Sequence, residues 1–251
     1  MKKVFLTLIV LCIVLMCGAL STKTIVVIGG SFTNVDESKL QFTEQRTFEH
    51  FEGISFDYIG ADVKVHFADE FKIIIRTNND FMNLITTDVK KNILTVSMKR
   101  NDLKEKMVAC DVYLPSISSL DCSGSVRVTL DEGNSADVKI SVSGSGKIDL
   151  TKHLVDNLNG SISGSGKALL GSGRANSLIF NISGSGNIEA ADVMYKSIKV
   201  DISGSGRADV YAEETLNASI SGSGRVNYKG KPVINSSVSG SGKINHIGDG
   251  R

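Results

Sequence analysis

Val142-Ser143-Gly144-Ser145-Gly146 is a five-residue word, and the same word ends again at Gly166, Gly186, Gly206, Gly224 and Gly242. An imperfect first copy stands at Cys122-Ser123-Gly124-Ser125. The leading serines are Ser123, Ser143, Ser163, Ser183, Ser203, Ser221 and Ser239, spaced by four steps of 20 residues and then two of 18. A fixed period in this range marks stacked units, each unable to bury its own apolar face without neighbours. Around each word the residues alternate. Val138, Ile140, Val142, Gly144, Gly146, Ile148 and Leu150 share one parity, while Lys139, Ser141, Ser143, Ser145, Lys147 and Asp149 share the other. The coils around Gly184 and Gly204 repeat the pattern. A period of two belongs to extended chain with one buried and one wet face, and the three-and-four spacing of a helix is missing.

A period of two inside a repeat of about 20 leaves an all-β, single-domain parallel β-helix, a β-solenoid whose coils of 18–20 residues stack at roughly 4.8 Å. A propeller blade needs about twice that length, and the leucine-asparagine signature of leucine-rich repeats is absent. Parallel crossovers are right-handed in nearly all proteins, and this coil is expected to share that hand. The paired glycines, Gly144/Gly146, Gly164/Gly166, Gly184/Gly186, Gly204/Gly206, Gly222/Gly224 and Gly240/Gly242, fall at inward positions near a corner. There a Cβ would have no room, or φ must be positive. The serines between them point outward as hydroxyl ladders.

The N-terminus is a different kind of segment. Lys2 and Lys3 precede an uncharged apolar run from Val4 to Met16, then Cys17-Gly18-Ala19-Leu20-Ser21, the layout of an export signal. Residues 1–19 are read as that signal, or as a lipoprotein signal ending before Cys17, which would then be the lipidated residue. The protein is therefore expected to be exported, whether periplasmic, associated with the outer membrane or at the cell surface, and to meet a membrane only through this segment. Residues 20–45 read as a tether or cap, 46–246 as the solenoid with less regular N-terminal coils capping one end, and 247–251 as a tail.

Lysine and arginine total 28 against 27 acidic residues, so neither nucleic acid nor an acidic tail is suggested. After export Cys110 and Cys122 remain. Both share parity with core residues and read as small buried hydrophobes, with a disulfide as the alternative. Short β-branched runs such as Ile54-Ser55-Phe56, Val63-Lys64-Val65 and Ile73-Ile74-Ile75 mark strands in the N-terminal half.

Phe48-Glu49-His50-Phe51-Glu52-Gly53-Ile54-Ser55, Ala61-Asp62-Val63-Lys64-Val65, Val112-Tyr113-Leu114-Pro115, the serial Ser-Gly-Ser-Gly words and Tyr228-Lys229-Gly230-Lys231-Pro232 together resemble the auto-transporter adhesin, head GIN domain family. The likeness spans roughly residues 45–246. It implies a bacterial envelope β-solenoid of largely unassigned function, with no catalytic residues to carry over. The residues after Gly242 are too few for a membrane barrel, so the auto-transporter part of that name is not expected to apply to this chain.

Catalytic and cofactor motifs are not supported by the residues. Gly144-Ser145-Gly146-Lys147-Ile148 has Ser141 and Ile148 where a nucleotide loop needs glycine and a hydroxyl residue. The words hold no aspartate for calcium, and His50, His66, His153 and His246 lack metal-ligand spacing. Asp121, Asp131 and Glu132 form the nearest acidic set to a polysaccharide-cleaving cleft, though a solvated turn explains them. No enzyme, metal or cofactor is expected. A polysaccharide-active β-helix enzyme, or an envelope lipid- or glycan-binding protein without adhesive role, are the alternatives to an adhesin or scaffold.

One feature stands out. The residue after each word is Lys147, Lys167, Asn187, Arg207, Arg225 and Lys243. Coils in register would line these cations into a basic edge for an anionic glycan or envelope polymer, with Asp149, Glu189 and Asp209 on the same face as neighbouring compensation. A surface polymer, glycan or protein partner is expected, and a second copy could cover the C-terminal end.

Overall fold

The structure is a computed structural model describing residues 37–99 and 107–249. The export signal, Cys17 and most of the 20–45 segment lie outside the described residues. The irregular half holds β1 (Phe42–Thr47), β2 (Gly53–Asp57), β3 (Asp62–Phe67), β4 (Lys72–Thr77), β5 (Ile85–Lys90), β6 (Ile93–Met98) and β7 (Val108–Leu114). The regular half begins with β8 (Ser119–Gly124), β9 (Arg127–Leu130), β10 (Gly133–Gly144), β11 (Lys147–Leu150), β12 (His153–Gly164) and β13 (Lys167–Leu170). It continues through β14 (Gly173–Gly184), β15 (Asn187–Gly204), β16 (Arg207–Gly222), β17 (Arg225–Lys229), β18 (Val233–Gly240) and β19 (Lys243–Gly248). β1 thus starts inside the segment read as a tether, and β19 runs past residue 246.

These strands form a single-domain β-solenoid of about 6 turns. Its long strands make one ladder, in the order β5-β6-β2-β8-β10-β12-β14-β15-β16-β18. The short strands make a second, β1-β4-β7-β3-β9-β11-β13-β15-β16-β17-β19. From β8 onward every pairing is parallel and like residues stack, as in Gly144 over Gly124 and under Gly164. The core is the inward parity. Ile162, Ile182, Ile202 and Ile220 stand in one buried column. In the next, Gly160 leaves the room that the Phe180 ring fills, a Cβ there lying 2.1 Å from the ring.

The two glycines of each word divide the work expected of both. The first is not packed inward as read from parity. It lies at the surface with φ near +107 to +119°, and at Gly164 a Cβ would meet the Gly144 carbonyl oxygen at 2.6 Å. The second is buried in every word but the last, where Gly242 is half-buried, and leaves space for the aliphatic residue of the coil below, so that a Cβ on Gly186 would sit 2.4 Å from the Ile162 methyl. Both carbonyls stay in the ladder. Gly144 accepts from the Ser165 N–H at 2.9 Å and Gly146 from the Lys167 N–H at 2.9 Å, which fixes the residue after each word at the start of the short strand.

The N-terminal half interleaves. The coil β2–β3 lies between the later coil β6–β7 and β8–β9; β5 is the outermost edge of the long ladder, antiparallel to β6, and β1 that of the short ladder, antiparallel to β4, itself antiparallel to β7. Arg46 and Glu44 on β1 turn inward and are buried, opposite Ile73 and Ile75. Arg46 binds Glu44 at 2.9 Å, the Ile85 carbonyl at 3.0 Å and the Thr87 hydroxyl at 3.1 Å, tying the edge of one ladder to the edge of the other. This end is sealed by a charged plug. Cys110 and Cys122 are free and buried, and burial pushes both thiols up to about 12.

Candidate functional site

Parallel register turns the residues after the words into a column: Arg127, Lys147, Lys167, Asn187, Arg207, Arg225 and Lys243 stand each above the last. All face outward, half-buried from Arg127 to Asn187 and exposed from Arg207 on. The adjoining column, two residues further along each coil, reads Thr129, Asp149, Leu169, Glu189, Asp209, Asn227 and Asn245, of which Asn227 is buried.

The lower cations are neutralised by this second column. Lys147 meets Asp149 at 3.1 Å and Arg207 meets Asp209 at 2.9 Å within their own coils. Lys167 has Leu169 in that place, and instead reaches Glu189 in the next coil at 2.6 Å. Arg127 pairs with Asp62 of β3 at 2.6 Å. Partial burial works to raise the Asp149 pKa, yet the hydroxyl and N–H of Thr151 together with Lys147 hold it below the ordinary carboxylate value.

At the last two coils the acids give way to amides. Asn227 donates to Asp209 at 2.6 Å and Asn245 donates to Asn227 at 3.0 Å, forming an amide ladder beside Arg225 and Lys243. Among the described residues, no carboxylate lies within ion-pair distance of either cation. The uncompensated part of the basic edge is therefore Arg225 and Lys243.

The other ladder turns a flat polar face to solvent. Ser143, Ser163, Ser183, Ser203, Ser221 and Ser239 form one outward column. Ser141, Ser161, Asn181, Asp201, Ser219 and Ser237 form the next. Their small side chains leave a shallow trough of about 480 Å³ between Ser161 and Ser239.

A polar cluster that sequence spacing did not disclose lies toward the sealed end. His66 on β3 sits between Asp131 at 2.7 Å and Asp111 at 3.1 Å, and Asp111 also pairs with buried Arg76. The His66 ring stacks on Tyr113, over which Lys72 lies at 4.3 Å. The hydrogen bond that the His66 ring donates to Asp111 chiefly raises the His66 pKa, against partial burial and with help from Asp131. The partners are 45 and 65 residues away in sequence, so only the outward parity of His66 hinted at an exposed role. Next to it a concavity of about 840 Å³ is lined by Phe67, Asp131, Glu132, Lys152 and His153 among others. His153 is buried, stacks on Phe67 and binds the Ser135 hydroxyl at 2.8 Å.

Asp121 does not join Asp131 and Glu132. It lies on the long-strand ladder beside Ser55 and Ser141, while the other two occupy the turn after β9. Among the described residues no group of three His, Cys, Asp or Glu could hold a metal ion, and no helix is long and apolar enough to cross a membrane.

Comparison with known proteins places this arrangement. The family model described as "Putative auto-transporter adhesin, head GIN domain" matches residues 50–232. Among solved structures, a Bacteroides fragilis protein described as "a putative adhesin" superposes with a TM-score of 0.74 at 23% identity, over 82% of this chain and 96% of its own. A protein of Parabacteroides distasonis named for lipid binding gives 0.64 at 24% identity, over 82% and 96%. A Parabacteroides merdae protein with the same description gives 0.60 at 23%, over 82% and 95%. No curated protein matches the chain. At these identities the structural likeness speaks for the fold.

Proposed function

This chain belongs to the head GIN domain family of adhesins, and from that membership we propose that it serves at the cell surface as a non-catalytic adhesive or scaffolding rod, holding an anionic polymer against Arg225 and Lys243. The observation that carries the reading is the change from Asp209 to Asn227 and Asn245 in the column beside the cations. Paired charges on a surface contribute little attraction to a third party, whereas unpaired and exposed ones attract an anion over about a Debye length, ~8 Å at physiological salt. Asn227 is buried with both ends of its amide bonded, and Asn245 above it keeps an amide oxygen for a sugar hydroxyl beside Lys243. The flat long-strand face, with its stacked serines, gives the rod a second wettable side.

The same cations would also suit an anionic lipid headgroup, the reading in keeping with the name of the Parabacteroides distasonis neighbour. One experiment separates the two. The double variant R225E/K243E is compared with wild type and with K199E, on the other ladder, for retention on acidic polysaccharide resin and for co-sedimentation with phosphatidylglycerol vesicles. A drop in salt needed for elution, confined to the double variant and to the resin, supports the polymer reading. Loss of vesicle binding alone favours lipid, and unchanged retention on both removes the site.

A further inference from the structure

The two ends of the solenoid are built differently. At the sealed end the antiparallel β1 and β5 close the ladders and the Arg46–Glu44 pair fills the mouth of the core. At the other end β18 and β19 close nothing. Ile234 and Val238 stand on top of Leu216 and Ile220 in the core columns, yet they are 39% and 44% exposed where the residues beneath are 0% and 2%. Every residue of β18 is exposed, and Ile247 on β19 is 50% exposed. Each ladder also ends here in a strand edge whose alternate N–H and C=O groups point away from the body. None of the usual protections is present on β18, which carries neither proline, nor lysine, nor an inward charge.

We propose that this open end is an interface between two copies of the chain, related by a two-fold axis. A head-to-tail stack is disfavoured because the sealed end presents an antiparallel edge and a charged plug rather than a matching coil. An isologous pairing needs a surface complementary to itself, and β18 has one. Its inward residues Ile234, Ser236 and Val238 read alike in either direction about Ser236. Antiparallel pairing centred there sets Ile234 beside the partner's Val238, Ser236 beside its own copy, and keeps every inward residue inward. At the rim Lys231 and Asp249 neutralise each other at 3.0 Å, whereas exposed Lys243 on β19 keeps its charge in both copies and should weaken the contact at low salt. The chain's own segment Ile25-Val26-Val27-Ile28 cannot reach this edge in its own copy. Eight residues separate Ile28 from Glu37 and span at most ~30 Å, whereas ten strand spacings from β1 to β19 cover ~48 Å. The end face of one narrow solenoid is small, so the dimer should be weak and concentration-dependent.

The test uses the chain from residue 20 to 251. Light scattering over a concentration series should show a reversible monomer–dimer equilibrium, and V238K should raise its dissociation constant by about tenfold or more. S236C should form an interchain disulfide under mild oxidation, since only a residue on the two-fold axis lies opposite itself, while S223C, at a corner one coil below, should not. Circular dichroism and a melting curve confirm that V238K keeps the preceding coils folded. A strict monomer throughout, or equal cross-linking at both cysteines, overturns the proposal. So does loss of association on deleting residues 22–36, which would assign the edge to the N-terminal segment of another copy.

Discussion

Asn227 stacks directly over Asp209 and donates to its carboxylate across 2.6 Å. The register that makes this contact also decides where the basic edge is free: up to Arg207 every cation is ion-paired, Lys167 through Glu189 of the next coil and Arg127 through Asp62, and above the step the neighbour is an amide. The unpaired part of the column is thus set by an amide standing where the coil below has a carboxylate.

Restoring the acid should therefore weaken anion binding. Asn227→Asp would place a carboxylate in the column beside Arg225, at a buried position against Asp209, so a like-charge cost of about 2–4 kcal/mol is expected unless one of the two carboxyls takes up a proton. The expected result is elution from acidic polysaccharide at lower salt, with the fold kept by circular dichroism. Retention equal to wild type would show that Arg225 takes no part.

The glycines of the words should be intolerant in both of their roles. Gly164→Ala forces a Cβ into a positive-φ site 2.6 Å from the Gly144 oxygen, and Gly186→Ala forces one to 2.4 Å from an Ile162 methyl. Each should destabilise by about 2–4 kcal/mol in denaturant melts. Gly60 is the control, because a Cβ placed there would meet nothing within 4 Å, and Gly60→Ala should stay within about 0.5 kcal/mol.

The plug predicts a contrast between single and double substitution. Arg46→Ala leaves Glu44 buried without its Arg46 partner, and should cost about 3–5 kcal/mol at the sealed end. Replacing both together, as E44L/R46M, should restore most of that loss. Hydrogen exchange would place the single variant's loss in β1 and β5 first.

Two histidines give stability opposite dependences on pH. His66 has its pKa raised from 6.5 by Asp111 and Asp131, so the folded state favours its charged form. Its contribution is whole below pH 6.5 and is lost as pH rises through the folded-state value. His153 has its pKa lowered from 6.5 by burial, with the Asp131 carbonyl working the other way. Its contribution is whole above pH 6.5 and is lost as pH falls through the folded-state value. Melting temperature should decline on both sides of that region. His66→Gln should flatten the alkaline side alone, and ring titrations by NMR should place His66 above His153.

How much of this could be read from the chain follows from where the information lies. The Ser-Gly-Ser-Gly words carry the parity, the coil length and the column of cations, because stacking in register repeats a sequence position in space. Asp149, Glu189 and Asp209 were visible as neutralising neighbours for the same reason. The interleaving of β2–β3 between later coils was not legible. Ile54-Ser55-Phe56 and Ile93-Leu94-Thr95-Val96 alternate in the same way whether their neighbour is parallel, antiparallel or out of chain order. The His66, Asp111 and Arg76 cluster was hidden as well, since its members come from strands brought together only by that interleaving. Parity also overstated the first glycine of each word. It follows the inward count, but the corner's positive φ carries it to the surface.

The whole coil is the unit by which this molecule can grow. Residues 164–183 span one period, and joining Ser163 to Gly184 would leave the phase of every remaining turn unchanged. Each such excision or duplication alters the reach of the rod by a single strand spacing, ~4.8 Å, without touching either terminus. The length of the rod is then a matter of copy number, adjustable like the marks on a ruler while both ends keep their structure.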